Sequence, residues 1–210
     1  MEIEFVLPSE IEKRSFAIIG EELANMGISL DPEEAPITKR VIHTSADFDY
    51  VETMCFSKDA IRIAKDLIKK GAHIVTDTNM ALSGINKNRL AEYGGQVHCF
   101  MAREDVAKEA AKRQVTRAYV CMEKGAKLEG PVIFAIGNAP TALLSLYEMM
   151  TKGDFVPDFV IGVPVGFVNV VAAKELFLNS QVPYIINAGR KGGSSIAAAI
   201  VNALLYSMEA

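Results

Sequence analysis

The run GPVIFAIGNAPTALLSLY, residues 130–147, decides the reading of the fold. It is 18 residues without a charge, long enough to raise the question of a membrane span. Asn138 and Pro140 interrupt it midway. Proline has no N–H for a helix interior, yet its fixed φ suits the first turn of a helix. The run therefore reads as a buried strand at 132–136, a turn, and a helix from 139.

The same alternation continues in both directions. Strand-length apolar segments rich in Val and Ile stand at 40–43, 73–77, 96–100, 159–163 and 184–187, besides 132–136. Helical patterns lie between them at 9–26, 57–70, 103–124, 139–152, 169–179 and 194–208. Gly27, Gly71 and Gly125 close the first three. In the first helix Ile11, Ser15, Ile18, Ile19 and Leu23 share one stripe. Ser57 would cap the second, with Asp59 in its first turn. Residues 30–36, with two prolines and three acids, read as a loop. Near-continuously apolar strands separated by helices predict an α/β fold: a doubly wound, largely parallel sheet with helices on both faces. At 210 residues, with no linker or repeat, residues 1–210 form one single domain.

Composition narrows the function. Half the residues are hydrophobic and 23% are charged, which excludes a disordered or fibrous chain. A net charge of −4 disfavours nucleic acid and anionic membranes, so an anionic ligand needs a local basic patch. The N-terminus has no secretion signal, which predicts a cytoplasmic protein. Cys55, Cys99 and Cys121 are widely scattered and suit reduced, mostly buried thiols. Neither they nor the three histidines show metal-ligand spacing, and no metal site is expected.

In a doubly wound sheet, ligands bind outside the carboxyl ends of the strands. On this reading those exits carry His43, Thr78, Asn138, the 164–166 turn and the 187–194 turn. Asn138 would cap the helix that follows it, and Gly192, Gly193 and Ser194 open the last helix. The free N–H groups of both helices would then face an anion. Arg190 and Lys191 add full charges beside the second. Neither turn matches a nucleotide-phosphate fingerprint, so a carboxylate ligand is the stronger reading. His43, with Thr44, Ser45 and Asp47 after it, is the natural proton carrier. The plainer alternative is a histidine bonded to a backbone carbonyl. His73 and His98, inside apolar strand patterns, fit that alternative better. Asp47 and Asp49 suggest a carboxylate pair or, more simply, capping.

Taken together, the motifs resemble the precorrin-8X methylmutase family, including its cobalt-precorrin-8 branch. The residues that carry the resemblance are Ser15 and Phe16, the 40–43 segment RVIH with Ala46, Asp47, Phe48 and Asp49, and the 76–80 segment TDTNM with Ser83 and Gly84. Further on come Thr116 and Arg117, then GNAPTAL at 137–143, VIGVPVGFV at 160–168 and GRKGGS at 189–194. The resemblance spans nearly the whole chain. It implies an isomerase that moves a methyl group from carbon 11 to carbon 12 of a corrin macrocycle, without added cofactor. It also implies His43 as the catalytic proton donor and a homodimer with the pocket near the interface.

By motif position, the resemblance places Arg40, Thr78, Ser83 and Arg117 around the ring. A polycarboxylate corrinoid needs distributed anion sites on an acidic protein, which adds Asn138, Arg190, Lys191, Gly193 and Ser194 to the substrate-binding set. Apolar residues in 169–178 and 196–205 could form the dimer surface. One departure stands after Val168: the family's Glu-Ser-Lys-Glu is Ala172, Ala173, Lys174 and Glu175 here, so Ala172 and Ala173 are left out of the site. The alternative is a tetrapyrrole carrier without chemistry. A methyltransferase dependent on S-adenosylmethionine lacks the Gly-rich loop after the first strand.

Overall fold

The protein is described by a computed structural model covering residues 5–208. One six-stranded sheet runs through it, built from β1 (Met54–Phe56), β2 (His73–Thr76), β3 (Val97–His98), β4 (Val132–Ile136), β5 (Phe159–Gly162) and β6 (Tyr184–Asn187). The spatial order is β1-β6-β5-β4-β2-β3, and every neighbouring pair is parallel except β1 with β6. The helices are α1 (Ile11–Asn25), α2 (Ala35–Ser45), α3 (Tyr50–Thr53), α4 (Ala60–Lys69), α5 (Asn79–Gly84), α6 (Lys87–Ala91), α7 (Glu104–Arg113), α8 (Arg117–Gly125), α9 (Pro140–Lys152), α10 (Val170–Leu178) and α11 (Ser194–Tyr206).

Side chains alternate across each strand and feed two cores. Ile74, Ile133, Ala135, Phe159, Ile161 and Ile185 face one side, covered by α1, α2, α4, α6 and α11. Val75, Val132, Phe134, Ile136, Val160 and Ile186 face the other, covered by α7 to α10. A strand apolar on both faces is the form a sheet takes when helices shield it on both sides, as the sequence predicts.

Three expectations about these elements are corrected. The segment 40–43 is not a strand but the second half of α2. Ile37, Thr38, Val41 and Ile42 are all buried at helical spacing, and Pro36 sits in the first turn. A two-residue apolar run inside that period looks the same in either state. The sheet gains instead β1, a three-residue edge strand too short to show a period. The single helix expected over 103–124 is two helices, because Gln114 turns left-handed (φ 55°) and Thr116 caps α8 by accepting from Tyr119 N. Ser57 does not cap α4 with its side chain; its Oγ accepts from Tyr184 N across the sheet edge.

The apolar residues expected to form a dimer surface belong to the core. Ile196, Ala197, Ile200, Val201, Leu204 and Leu205 of α11, and Val170, Ala173 and Phe177 of α10, are buried. Cys121 is buried too, and its thiol is pushed up to about 12 by that burial. Cys55 and Cys99 are half-buried and raised for the same reason. No helix among the described residues is long and apolar enough to cross a membrane.

Candidate active site

The chain reverses direction across the sheet at β2 and β4: β3 lies on one side of the pair and β5, β6 on the other. Their carboxyl ends carry Asp77 and Thr78 on one side and Gly137 and Asn138 on the other. Asp77, 1% exposed, accepts the N–H groups of Gly137 (2.9 Å), Asn138 (2.8 Å) and Ala139 (2.5 Å). Burial raises its carboxyl, and the three amides pull it back. Asn138 therefore does not cap α9 as expected. Asp77, a charged acceptor with two oxygens, already gathers the amides leading into that helix, and Asn138 points outward, exposed.

The start of α11 is different, for no side chain caps it. Thr78 Oγ1 bonds Ser194 Oγ at 2.8 Å and also caps α5 by accepting from Ala81 N. Gly137 and Gly192 make this crowding possible. A methyl on Gly137 would lie 2.6 Å from Ser194 Cα, and one on Gly192 would lie 2.1 Å from Val163 O. Gly193 N donates to Val163 O at 2.9 Å, which fixes the strap between β6 and α11 against the end of β5. Ser83 is exposed on α5 beside Gly84, whose close contact with Ala198 lets α5 press on α11.

The four basic candidates fall into two kinds. Arg40 forms a bidentate pair with Glu12 (3.0 and 2.8 Å) and its guanidinium lies between the rings of Phe16 and Tyr206. Lys191 Nζ donates to Asp47 (2.6 Å) and to Asp49, holding the Asp47 carboxyl below its usual range. Arg117, exposed at the start of α8, and Arg190, stacked over Phe167, have no carboxylate partner among the described residues. Those two remain available to an anion.

His43 lies in the last turn of α2, exposed, with its ring stacked on Phe16 at 5.4 Å. It borders an open groove of about 300 Å³ lined by Ser15, Ile18, Ile19, Glu22, Ile42 and Phe48. Ala46 ends α2 in a left-handed turn, and Asp47 and Asp49 follow directly, so the Lys191 ion pairs tie the histidine's turn to the strap. His73 and His98 instead face each other (Nδ1 to Nε2, 3.3 Å), both half-buried, and burial with the neighbouring ring lowers His98. No group of three or more His, Cys, Asp or Glu among the described residues is placed to hold a metal ion.

Sequence reasoning gave three residues here no role of their own. Asp77 accepts amides about sixty positions away, which no local pattern announces. Lys174 lies on α10 yet is 1% exposed, and its Nζ donates to Gly189 O and Lys191 O at 2.8 Å each. Phe167, 82% exposed beside Arg190, could have been noticed as one of three large apolar residues in a four-residue turn.

A doubly wound sheet with polar residues from several strand ends gathered on one rim is the build of an α/β enzyme. The chain belongs to the precorrin-8X methylmutase family, whose profile matches residues 10–207, and is an isomerase of cobalamin biosynthesis. It is 43% identical over 199 residues to the cobalt-precorrin-8 methylmutase of Priestia megaterium, covering 95% of this chain and 88% of that one. With the precorrin-8X methylmutase of Pseudomonas aeruginosa it shares 39% identity over 202 residues, covering 95% of each. The crystal structure of precorrin-8X methyl mutase from Thermus thermophilus superposes with a TM-score of 0.84 at 36% identity, covering 94% of this chain and 96% of that one.

Proposed function

We propose that the protein converts precorrin-8X, or its cobalt form, to hydrogenobyrinate or cobyrinate by moving a methyl group from carbon 11 to carbon 12, with His43 as proton donor. The bond from carbon 11 to the methyl breaks as the bond to carbon 12 forms. His43 protonates the macrocycle so that the conjugated system rearranges, and one proton returns to solvent, leaving the composition unchanged. The observation that carries this reading is the exposed His43 ring on Phe16, tied through its own turn to the rim where the strand ends meet.

Arg117, Arg190 and the uncapped start of α11 at Gly193 and Ser194 are the anion sites for the ring's carboxylates, with Thr78, Ser83 and Asn138 as neutral partners. Arg40 joins them once Glu12 is displaced, because a substrate carboxylate offers the same bidentate geometry. Lys191, already held by two aspartates, contributes through position. Two copies form the working unit: the groove at His43 is open on one side, and the exposed Ile18 of α1 lines it.

The test is the visible spectrum of purified protein mixed with precorrin-8X and, separately, with its cobalt form, without cofactor. Wild type should convert at least one, and the faster substrate indicates the pathway branch. His43→Ala should bind without converting. Full single-turnover rate in His43→Ala would remove the proton-donor role, and binding without conversion in both proteins would favour a tetrapyrrole carrier. Sedimentation of the protein at micromolar concentration checks the dimer.

A further inference from the structure

Lys174 is the most deeply buried cation described, and nothing in the proposed chemistry uses it. It carries no salt bridge: both acceptors are backbone carbonyls of the strap, Gly189 O and Lys191 O. Asn187, 0% exposed, reinforces the same segment by donating Nδ2 to Ala188 O (3.1 Å) and Lys191 O (2.9 Å), while its Oδ1 accepts from Thr53 Oγ1 at 2.6 Å. The carbonyl of Lys191 is thus pinned from below by two side chains. Its own Nζ reaches out to Asp47 and Asp49 in the turn that ends α2.

A buried ammonium is costly, and burial alone lowers Lys174 to about 8. An apolar side chain of the same length would fill the space without that cost. What the ammonium supplies is a pair of directed donors that fix where residue 191 sits. We infer that Lys174 is a positioning residue for the methyl shift: by holding the backbone of Gly189 and Lys191 it sets the reach of Lys191 to Asp47 and Asp49, and through them the placement of His43. Arg190, between the two pinned carbonyls, is aimed by the same hold, with Gly166 N donating to its carbonyl at 3.2 Å.

The inference rests on the proposed function, and the test separates the two. Lys174→Met keeps the length and apolar stem. Amide hydrogen exchange, read on the free protein, should quicken at residues 188–193 and also at 46–49, on the far side of the Lys191 ion pairs. Single-turnover conversion of precorrin-8X should fall about tenfold to a hundredfold, and substrate binding should weaken by less than it does in Arg190→Ala, since that arginine is loosened and not removed. The double variant Asp47→Asn, Asp49→Asn, on the exposed side of the chain of contacts, should reproduce the rate loss while leaving exchange at 188–193 as in wild type. Unchanged exchange at 46–49 in Lys174→Met, or a wild-type rate in the double variant, overturns the inference. If Lys174→Met does not fold, Lys174→Gln, which keeps a donor at a shorter reach, takes its place under the same exchange and rate readouts. Absence of conversion by wild type overturns the proposed function, and the exchange at 46–49 then decides the positioning claim by itself.

Discussion

The strap from Gly189 to Ser194 and the turn that carries His43 lie side by side but are held by opposite means. The strap is wired inward. Lys174 and Asn187 grip its carbonyls, Gly193 bonds the end of β5, and Ser194 bonds Thr78. The His43 turn is held from outside, by a ring stacked on Phe16, a surface pair between Arg40 and Glu12, and two ion pairs from Lys191. Buried, directed bonds give a fixed frame for recognising a ligand. Exposed ion pairs are individually weak and screened, so the placement of His43 depends on the two from Lys191 acting together.

The contrast can be broken most directly at its two ends. His43→Ala should lower the single-turnover rate by about 10²–10⁴-fold while leaving stability near wild type, because the ring is exposed and removes little from the core. Asp77→Ala should do the reverse in kind. It strands three amides at the β2 and β4 exits and should cost about 3 kcal/mol or more in a denaturant titration. A loss under 1 kcal/mol would mean that the amides find other acceptors.

Raising the pH sharpens the picture of the wired side. Lys174 sits near 8 in the fold against 10.5 unfolded, so the folded chain binds fewer protons in that window. Unfolding then takes up a proton at this site, whereas the thiols raised by burial act in the opposite sense. The readout is therefore the stability difference between wild type and Lys174→Met, which should shift in favour of wild type by about 2 kcal/mol from pH 8 to 10.5. On the ligand side, Arg117→Ala and Arg190→Ala should each weaken substrate binding about tenfold with little change in the rate of bound substrate. The smallest effect belongs to the surface pair: Glu12→Gln should change stability by less than about 1 kcal/mol and, by freeing Arg40, tighten substrate binding slightly. Weaker binding instead would place Glu12 itself among the substrate contacts.

Much of the architecture could be read from residues in order. Residues 132–136, 159–163 and 184–187 announce themselves because strands apolar on both faces have few alternatives, and the polar residues at their exits do meet on one rim. The reading failed where the local signal was shared or too brief. Val41 and Ile42 satisfy a strand and a helix equally, and only the burial of Ile37 and Thr38 one turn earlier settles them as helix. β1 has three residues and takes its place from pairing with β6. At the rim, Thr78 and Ser194, both expected at strand exits, do come together. The partners of Asp77 and Lys174 were hidden, since each acts on a segment remote in sequence. The free or occupied state of each cation was equally hidden: Arg40 and Arg190 look alike in the sequence, and only the fold gives one of them to Glu12.

Both flanks of the sheet end in very short strands, β3 with two residues and β1 with three, the latter turned antiparallel. Such edges offer almost no backbone ladder for another chain to join. Extension of the sheet from one copy to the next is thereby disfavoured. The exposed Phe5, Leu7, Phe167 and Val168 then stand on segments with no long backbone ladder beside them, so an apolar surface there does not template fibres.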